Sequence, residues 1–522
     1  MDEAVEIIIT GTKLQNIQTI LSFIISGTNS FFFYFVPFLF KNPSINNNYV
    51  INKNETKLNY SLEELCNSND IYKYIDKNSI KNYSFIYQLF CDNNILFNIH
   101  ILTFLYYFSK GISSIFLGFL TDKLGRKFIL FFCSIITIIA SFCMFLSLYN
   151  YFFIFITIIL VGIISYLYIF SSILVCEFCD RNKAATISSL NVSSGPIFAI
   201  FFILLLKLFN NLYVIFIIII IISLILFYYI KIYYNESLYF LIAKNRINDF
   251  FELLETLSLI NERKNLFEKI NQERYKTDKI KSFSFTANII DVFNYNSQNQ
   301  RLIIHTLLWI FASFSFHGIF NILTYFNPLD NFFWIYFSFF SLCSFTQIII
   351  GIISDIYGRR TLLTYSFYIC SISFLIFILT EEKIIIKNIF FFICIISSSS
   401  IFSLLFIFSS EDFPTCIRGT VLGFLFGISQ IIALFIYYLN NPLILCLIIS
   451  LSNCIGGRIV ESMEDTFELL LDDTLPEMHK NDNLKKKKYR ALKCERISTG
   501  SDLYFLTSDD EAFNQEIQSK YS

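Results

Sequence analysis

The chain has 522 residues, 55% hydrophobic and 19% aromatic against 16% charged, and its mean hydropathy is +0.58. So much apolar surface belongs in lipid, and the seven prolines and scarce breakers favour spanning helices over the strands and turns of a β-barrel. A net charge of −1 lacks the basic surplus that phosphate binding needs, so no nucleic-acid partner is expected.

In chain order, residues 1–15 are mixed and acidic, without a cleavable signal pattern, so the first apolar run is expected to act as its own insertion signal. That first span is predicted over 17–40. A polar, Asn-rich loop over 41–98 follows, with three acceptor sequons at Asn54, Asn59 and Asn82, and with Cys66 and Cys91. Their clustering favours a glycosylated, non-cytoplasmic loop with a disulfide between the two cysteines. Spans two to six are predicted over 99–120, a third ending at 148, 151–175, 187–209 and 212–230. A hydrophilic insert over 231–300 carries Phe250, Leu253, Leu254 and Leu257 at helical spacing, the mark of short amphipathic helices. Spans seven to twelve are predicted over 302–325, 331–350, 362–379, 388–408, 420–439 and, shortened, 442–454, before a polar tail over 457–522. The expectation is an all-α membrane protein with twelve transmembrane helices in two six-helix bundles.

Lysine and arginine crowd the turns after spans two, four, eight and ten, at Lys123, Arg126, Lys127, Arg181, Lys183, Arg359, Arg360 and Arg418. The positive-inside rule then places these turns, the insert, both termini and the Lys485-Lys486-Lys487-Lys488 run in the cytoplasm. A plasma-membrane location and a monomer are expected.

The turn after span two reads Gly118-Phe119-Leu120-Thr121-Asp122-Lys123-Leu124-Gly125-Arg126-Lys127, and a looser copy follows span eight, Gly351-Ile352-Ile353-Ser354-Asp355-Ile356-Tyr357-Gly358-Arg359-Arg360. Two copies of one polar hinge point to a duplicated chain. The first copy resembles the signature of the major facilitator superfamily, Gly-x-Leu-x-Asp-x-x-Gly-Arg-Arg/Lys. Further stretches resemble its organic cation and anion transporter family: Tyr87-Gln88-Leu89-Phe90-Cys91-Asp92, the spacing Trp309, Ser313, Phe314, Gly318, the degraded Asn235-Glu236-Ser237-Leu238-Tyr239-Phe240-Leu241, and Ser410-Glu411-Asp412-Phe413-Pro414-Thr415-Cys416-Ile417-Arg418-Gly419-Thr420. Sugar porters share the hinges and the Glu-Ser remnant, but this chain lacks their Gln-Leu-Ser in span five and their paired glutamines in span seven.

The resemblance implies alternating access around a central site, with gating by Gly118, Asp122, Gly125, Arg126, Lys127, Glu177, Arg181, Asp355, Gly358, Arg359, Arg360, Glu411 and Arg418. Asp122 is expected to pair with arginine and to cap the eleventh helix.

Charge inside hydrocarbon is costly enough to mark function, and Lys110, half-way along span two, is the strong case. It would draw anionic or carboxylate-bearing solutes. Gln430 stands where organic ion transporters tend to carry a charge that selects substrate sign. Asn29, His317, Asn321, Tyr325 and Gln347 are further hydrogen-bonding candidates, each with helix packing as its bland alternative. No carboxylate is seen at mid-depth, which favours facilitated diffusion or exchange over proton coupling, with His305 and His317 as the remaining titratable groups. Cys176-x-x-Cys179 lacks a second pair, and no nucleotide-binding loop of the Gly-x-x-x-x-Gly-Lys-Ser/Thr type occurs. No metal, cofactor or enzymatic activity is expected. The function anticipated is transport of a small organic solute, an organic ion before a sugar or polyol, with a transporter-like receptor without flux as the reading from another class.

Overall fold

The computed structural model describes residues 13–40, 81–89, 95–178, 183–244, 246–260, 296–325, 332–380, 383–439 and 441–466. Asn54, Asn59, Cys66, Cys91, Arg181 and the lysine run of the tail fall outside them. The first half of the chain contributes α1 (Lys13–Leu39), the single turn α2 (Tyr83–Ile86), α3 (Ile95–Leu124), α4 (Arg126–Leu146), α5 (Phe152–Ile164), α6 (Tyr166–Phe178), α7 (Ala184–Phe209) and α8 (Leu212–Tyr233). Two short helices follow, α9 (Leu238–Ala243) and α10 (Ile247–Ile260). The second half is α11 (Asn296–Tyr325), α12 (Phe332–Tyr357), α13 (Arg359–Leu379), α14 (Ile384–Asp412), α15 (Arg418–Tyr437) and α16 (Pro442–Glu461). Eleven spans among the described residues are long and apolar enough to cross a membrane, and α1, at 27 residues, takes the remaining place. Their outer faces are apolar, with Phe116, Ile139, Ile225 and Phe345 all exposed, as lipid contact requires.

The widest contacts between the two halves join α3 to α15 and α7 to α12. At the first, a Cβ on Gly423 would lie 2.3 Å from Ser114 O and 2.9 Å from Gly118 Cα, so only glycine lets these backbones approach.

Several boundaries depart from the sequence expectation. The first hinge is not a turn from Gly118 onwards. Helix α3 continues to Leu124, and the chain breaks at Gly125, with φ of 112°; Gly358, with φ of 91°, repeats this before α13. Both lie in the left-handed region that glycine alone adopts without strain. Helix α12 likewise runs past the expected 350 to Tyr357, carrying Asp355 within reach of α7. The fourth span divides at Ser165, whose hydroxyl donates to Gly162 O at 2.6 Å, a back-bond that loosens a helix. The twelfth is not shortened: Gly456 and Gly457 pack against the Phe367 and Tyr368 rings, and α16 reaches Glu461.

The insert keeps its amphipathic character, since Phe250, Leu254 and Leu257 of α10 are buried while Glu252 and Glu255 are exposed. Asn82 caps α2, accepting from Phe85 N at 3.1 Å, and its Nδ2 donates to Phe38 O at 2.9 Å. Buried and bonded in this way, that amide is closed to a glycan, unlike the exposed acceptor expected from its sequon.

Candidate functional site

Where the halves meet at mid-span they enclose a small chamber. Its charged and titratable wall is Lys110 of α3 and His317 of α11, and none of its described lining residues is acidic. Rings close it: Tyr34, Tyr106, Tyr168, Phe316, Phe402 and Phe426. Ser30 and Ser165 add hydroxyls. The free volume is about 20 Å³, room for a water or two rather than a solute.

Lys110 is 7% exposed, with Nζ 4.8 Å from the centroid of Phe426 and 5.6 Å from that of Tyr106. Ring faces attract a cation by about 0.5–2 kcal/mol, less than the insertion cost of about 2.5–3.5 kcal/mol for a charge at a helix centre. Phe316 and Phe402 stack in parallel, 4.8 Å apart at 13°, and Tyr168 continues the stack on Phe402 at 6.3 Å and 23°. Tyr168 is held there by sequence chemistry on α7. Pro196 has no N–H to give Val192 O, four residues back, and the Tyr168 hydroxyl donates to that carbonyl at 2.8 Å.

His317 is held in the chamber wall by hydrogen bonds on both ring nitrogens. Its Nε2 lies 3.1 Å from Gln430 Oε1, and Gln430 Nε2 donates to Ser313 Oγ at 3.3 Å. Nδ1 faces the Tyr107 and Tyr437 hydroxyls at 3.2 and 3.3 Å, themselves 2.5 Å apart. With amide oxygen on one side and hydroxyls on the other, a neutral imidazole protonated on Nε2 satisfies every group.

Of the other binding candidates whose side chains are described, none lines the chamber. Gln430 is spent on His317 and Ser313. Asn29 donates to Ile25 O and accepts from Thr137 Oγ1, tying α1 to α4. Asn321 donates to Ile436 O at 3.0 Å and clips α11 to α15. Gln347 lies on the face of α12 turned to α7, and the side chain of Tyr325 is outside the described atoms. His305 bonds Ser409 Oγ at 3.0 Å and Asp412 Oδ2 at 2.9 Å, away from the chamber.

The hinge end is closed by two clusters. In the first, Asp122 accepts from Gly419 N (3.2 Å), Thr420 N (2.6 Å) and Thr420 Oγ1 (2.8 Å), so it caps α15 where the helix dipole favours an anion. Arg126 pairs with Asp122 at 3.3 Å and Glu177 at 2.9 Å and donates to Thr415 O across the halves. Arg418 stands 3.7 Å from the same Glu177. In the second, Asp355 accepts from Ala185 N (3.3 Å), Thr186 N (2.8 Å) and Thr186 Oγ1 (2.6 Å), capping α7. Arg359 pairs with Asp355 at 3.2 Å and Glu411 at 3.1 Å. Arg360 instead donates to Val460 O and Glu461 O, and the exposed Lys127 enters only through its backbone N–H.

A second pair of caps was not read from sequence. Glu236 accepts from the N–H of Arg126 (2.9 Å) and Lys127 (3.2 Å) at the start of α4, and Asp465 does the same for Arg359 (3.2 Å) and Arg360 (3.4 Å) at the start of α13. Burial pushes the Glu236 carboxyl above the usual carboxylate range, opposed by the Ser237 N–H and the Arg126 guanidinium.

Aromatic contacts also join the two halves at the far end. Lys207 of α7 lies over Phe333 and Trp334 of α12 at 4.4 and 4.2 Å, and His100 of α3 stacks on Tyr438, just past the end of α15, at 5.5 Å.

Paired halves, duplicated hinges and a chamber between the halves are joined by a direct match: residues 19–437 fit the family model of the Major Facilitator Superfamily. The chain belongs to that superfamily. It is a multi-pass membrane transporter of small solutes. Its fold is similar to that of the proton:xylose symporter XylE bound to 6-bromo-6-deoxy-D-glucose, with a TM-score of 0.61 and 12% identity over 88% of this chain and 97% of that one. It is also similar to the human organic anion transporter MFSD10 (TETRAN), at 0.58 and 10% over 86% and 99%. The partially occluded inward open conformation of the xylose transporter XylE from E. coli gives 0.56 and 12% over 88% and 99%. At these identities the likeness is one of facilitator fold alone, and no curated protein matches the sequence.

Proposed function

We propose that this facilitator carries a small organic solute with a carboxylate or other anionic group and a flat apolar body, by alternating access. The observation that carries this is Lys110 in the wall of a chamber whose other side chains are rings, hydroxyls and one imidazole. A carboxylate would meet the ammonium group, and a planar body would slide against the Phe316 and Phe402 stack. The resemblance to organic ion transporters supports the same class. In this reading the Asp122 and Asp355 clusters form the inner gate at a cytoplasmic hinge end. The aromatic clasps of the far end form the outer gate, and the protein works as a monomer in the plasma membrane.

The mode proposed is facilitated diffusion or exchange. Among the described lining residues there is no carboxylate to load and unload a proton, and neutral His317 has its hydrogen bonds filled. Purified protein in liposomes should exchange benzoate faster than the neutral benzyl alcohol, and Lys110→Gln should reduce that preference at least tenfold. An unchanged ratio overturns the Lys110 reading; accumulation driven by a pH gradient overturns the uncoupled mode. Absence of flux for any solute in a broad panel would favour a receptor.

A further inference from the structure

Below the chamber, towards the hinge end, three helices bring together polar side chains that the reading above leaves unused. On α12, Gly351 and Asp355 face α7, since a Cβ on Gly351 would strike Ser189 Oγ and Asp355 caps that helix. Thr346 faces α14 through its 2.6 Å bond to Ser399. Gln347, one turn before Gly351 and next to Thr346, therefore points between α7 and α14. On α14, Ser403 falls one turn after Ser399 and one turn before Ile407, which touches Ala184 and Ala185 of α7. On α7, Ser188 stands one turn beyond Ala184 and one turn below Val192, whose carbonyl holds Tyr168 in the chamber floor. Gln347 and Ser188 are 0% exposed and Ser403 is 2% exposed. Both amide atoms of Gln347 and both hydroxyls have no hydrogen-bond partner among the described residues.

Gln18 of α1 extends the group. It lies one turn before Ser22, which bonds Asn191 of α7, and its amide is also buried and, among the described residues, without a partner. Isolated buried polar atoms are uncommon because each forfeits its bonds to water at about 1–3 kcal/mol. A cluster from four helices and both halves, immediately under a solute chamber, has the composition of a binding surface. It offers amide donors and acceptors with hydroxyls, and none of these groups is charged.

We infer that Gln347, Ser188 and Ser403, with Gln18, form a second solute subsite on the hinge side of the Tyr168 floor. It takes an uncharged, hydroxyl-bearing part of the solute as the molecule passes between the chamber and the hinge end. The inference rests on the carboxylate reading of the chamber for the charged part of the solute and is independent of it for the hydroxylated part. A solute with both features is held by Lys110 first and by the amide cluster next.

The test is selectivity between two carboxylates that differ in hydroxyls, cyclohexanecarboxylate and its tetrahydroxy analogue quinate, in proteoliposomes. The wild type should carry quinate with at least a tenfold lower half-saturation. Gln347→Leu, close in volume and apolar, should lower the quinate to cyclohexanecarboxylate uptake ratio at least tenfold, and Ser403→Ala about threefold. Equal loss of both acids, or no change in the ratio, overturns the subsite and leaves a packing cluster or an ordered water only. If the wild type carries neither acid, the carboxylate reading of the chamber fails, and Ser403→Cys decides the subsite alone. Peptide mass spectrometry should then show methyl methanethiosulfonate modifying Cys at 403, slowed at least fivefold by sorbitol. An unmodified thiol, or one that sorbitol leaves equally reactive, overturns the proposal.

Discussion

At Asp122 and at Asp355 a carboxylate from one half caps a helix of the other through the same three donors, two N–H groups and a threonine hydroxyl, yet the counter-charges around the two caps differ. Beside Asp122 stand Arg126, Arg418 and Glu177, all with side chains 0% exposed: two guanidinium groups against two carboxylates. Beside Asp355, among the described residues, one guanidinium, Arg359, faces Asp355 and Glu411, whose side chains are 9% and 13% exposed. The backbones differ as well, since α3 and α15 meet through glycine on both sides and α7 offers Ser189 to Gly351. Duplication has kept the cap and let the surroundings diverge. The first cluster is balanced and dry, so it should dominate the cost of opening the hinge end. The second, partly wet, can exchange its partners for water.

The largest effect should follow loss of Glu177, the one carboxylate facing both Arg126 and Arg418. Removing one partner of a buried ion pair costs about 3–5 kcal/mol, or about 10² to 4 × 10³ in an open–closed equilibrium. Glu177→Gln should abolish turnover and shift spin-label distances across the hinge end to the open population, while Glu411→Gln shifts them less. An equal or larger shift for Glu411→Gln breaks the comparison.

Next come the caps themselves. Asp122→Asn keeps the shape and removes the charge from three hydrogen bonds, each worth about 1.5–3 kcal/mol with a charged acceptor against about 0.5–1.5 kcal/mol with a neutral one. Turnover should fall about tenfold or more, with half-saturation largely spared, and Asp355→Asn should fall less because water can replace its partners. A tenfold loss of affinity at normal turnover for Asp122→Asn would move that residue from gating to binding.

How far all this was legible from the sequence depended on whether a residue's role left a chemical mark. The spans did, because long apolar runs have few other uses, and so did the hinges, where a fixed Asp, Gly and Arg recur. Lys110 stood out because a charge in hydrocarbon is rare. The rest of the chamber did not. Phe402 lines it and Phe345 faces outwards, 63% exposed, but in a chain with 64 phenylalanines nothing local separates them. Mid-span tyrosines with a hydroxyl to satisfy, Tyr34, Tyr106 and Tyr168, were the available signal. Gln430 and Asn29 looked like binding groups and are bonded across helices, a distinction that needs the partner helix in view. Asp465-Thr466 copies Glu236-Ser237 with conservative exchanges, too short a repeat to register before both were seen capping α4 and α13.

The glycine difference yields a third, smaller effect. Gly423→Ala would drive a Cβ onto the Ser114 carbonyl and Gly118 Cα, at 2.3 and 2.9 Å, where only backbone could yield. Overpacking of this kind costs about 1–3 kcal/mol. A Cβ on Gly351 meets chiefly the Ser189 side chain, with Oγ at 1.7 Å and Cβ at 2.6 Å. Melting in detergent should therefore show Gly351→Ala rescued by Ser189→Gly and Gly423→Ala rescued by no side-chain exchange on α3. Failure of the first rescue would make the two interfaces equally rigid.

Glu236 should give the smallest effect, and its sign separates burial from capping. Its carboxyl is held above the usual range by burial, against the pull of the Ser237 N–H and Arg126. A raised native value means that the folded protein binds this proton more tightly than the unfolded chain does. That contribution to stability is complete below the ordinary glutamate value of about 4.3 and is lost as pH rises through the native value. Melting temperatures of wild type and Glu236→Gln in detergent should therefore converge in acid, with wild type losing ground to the variant as pH rises. The opposite trend, with wild type gaining as Glu236 ionises, would mean that the N–H groups of α4 outweigh desolvation and make Glu236 an electrostatic cap.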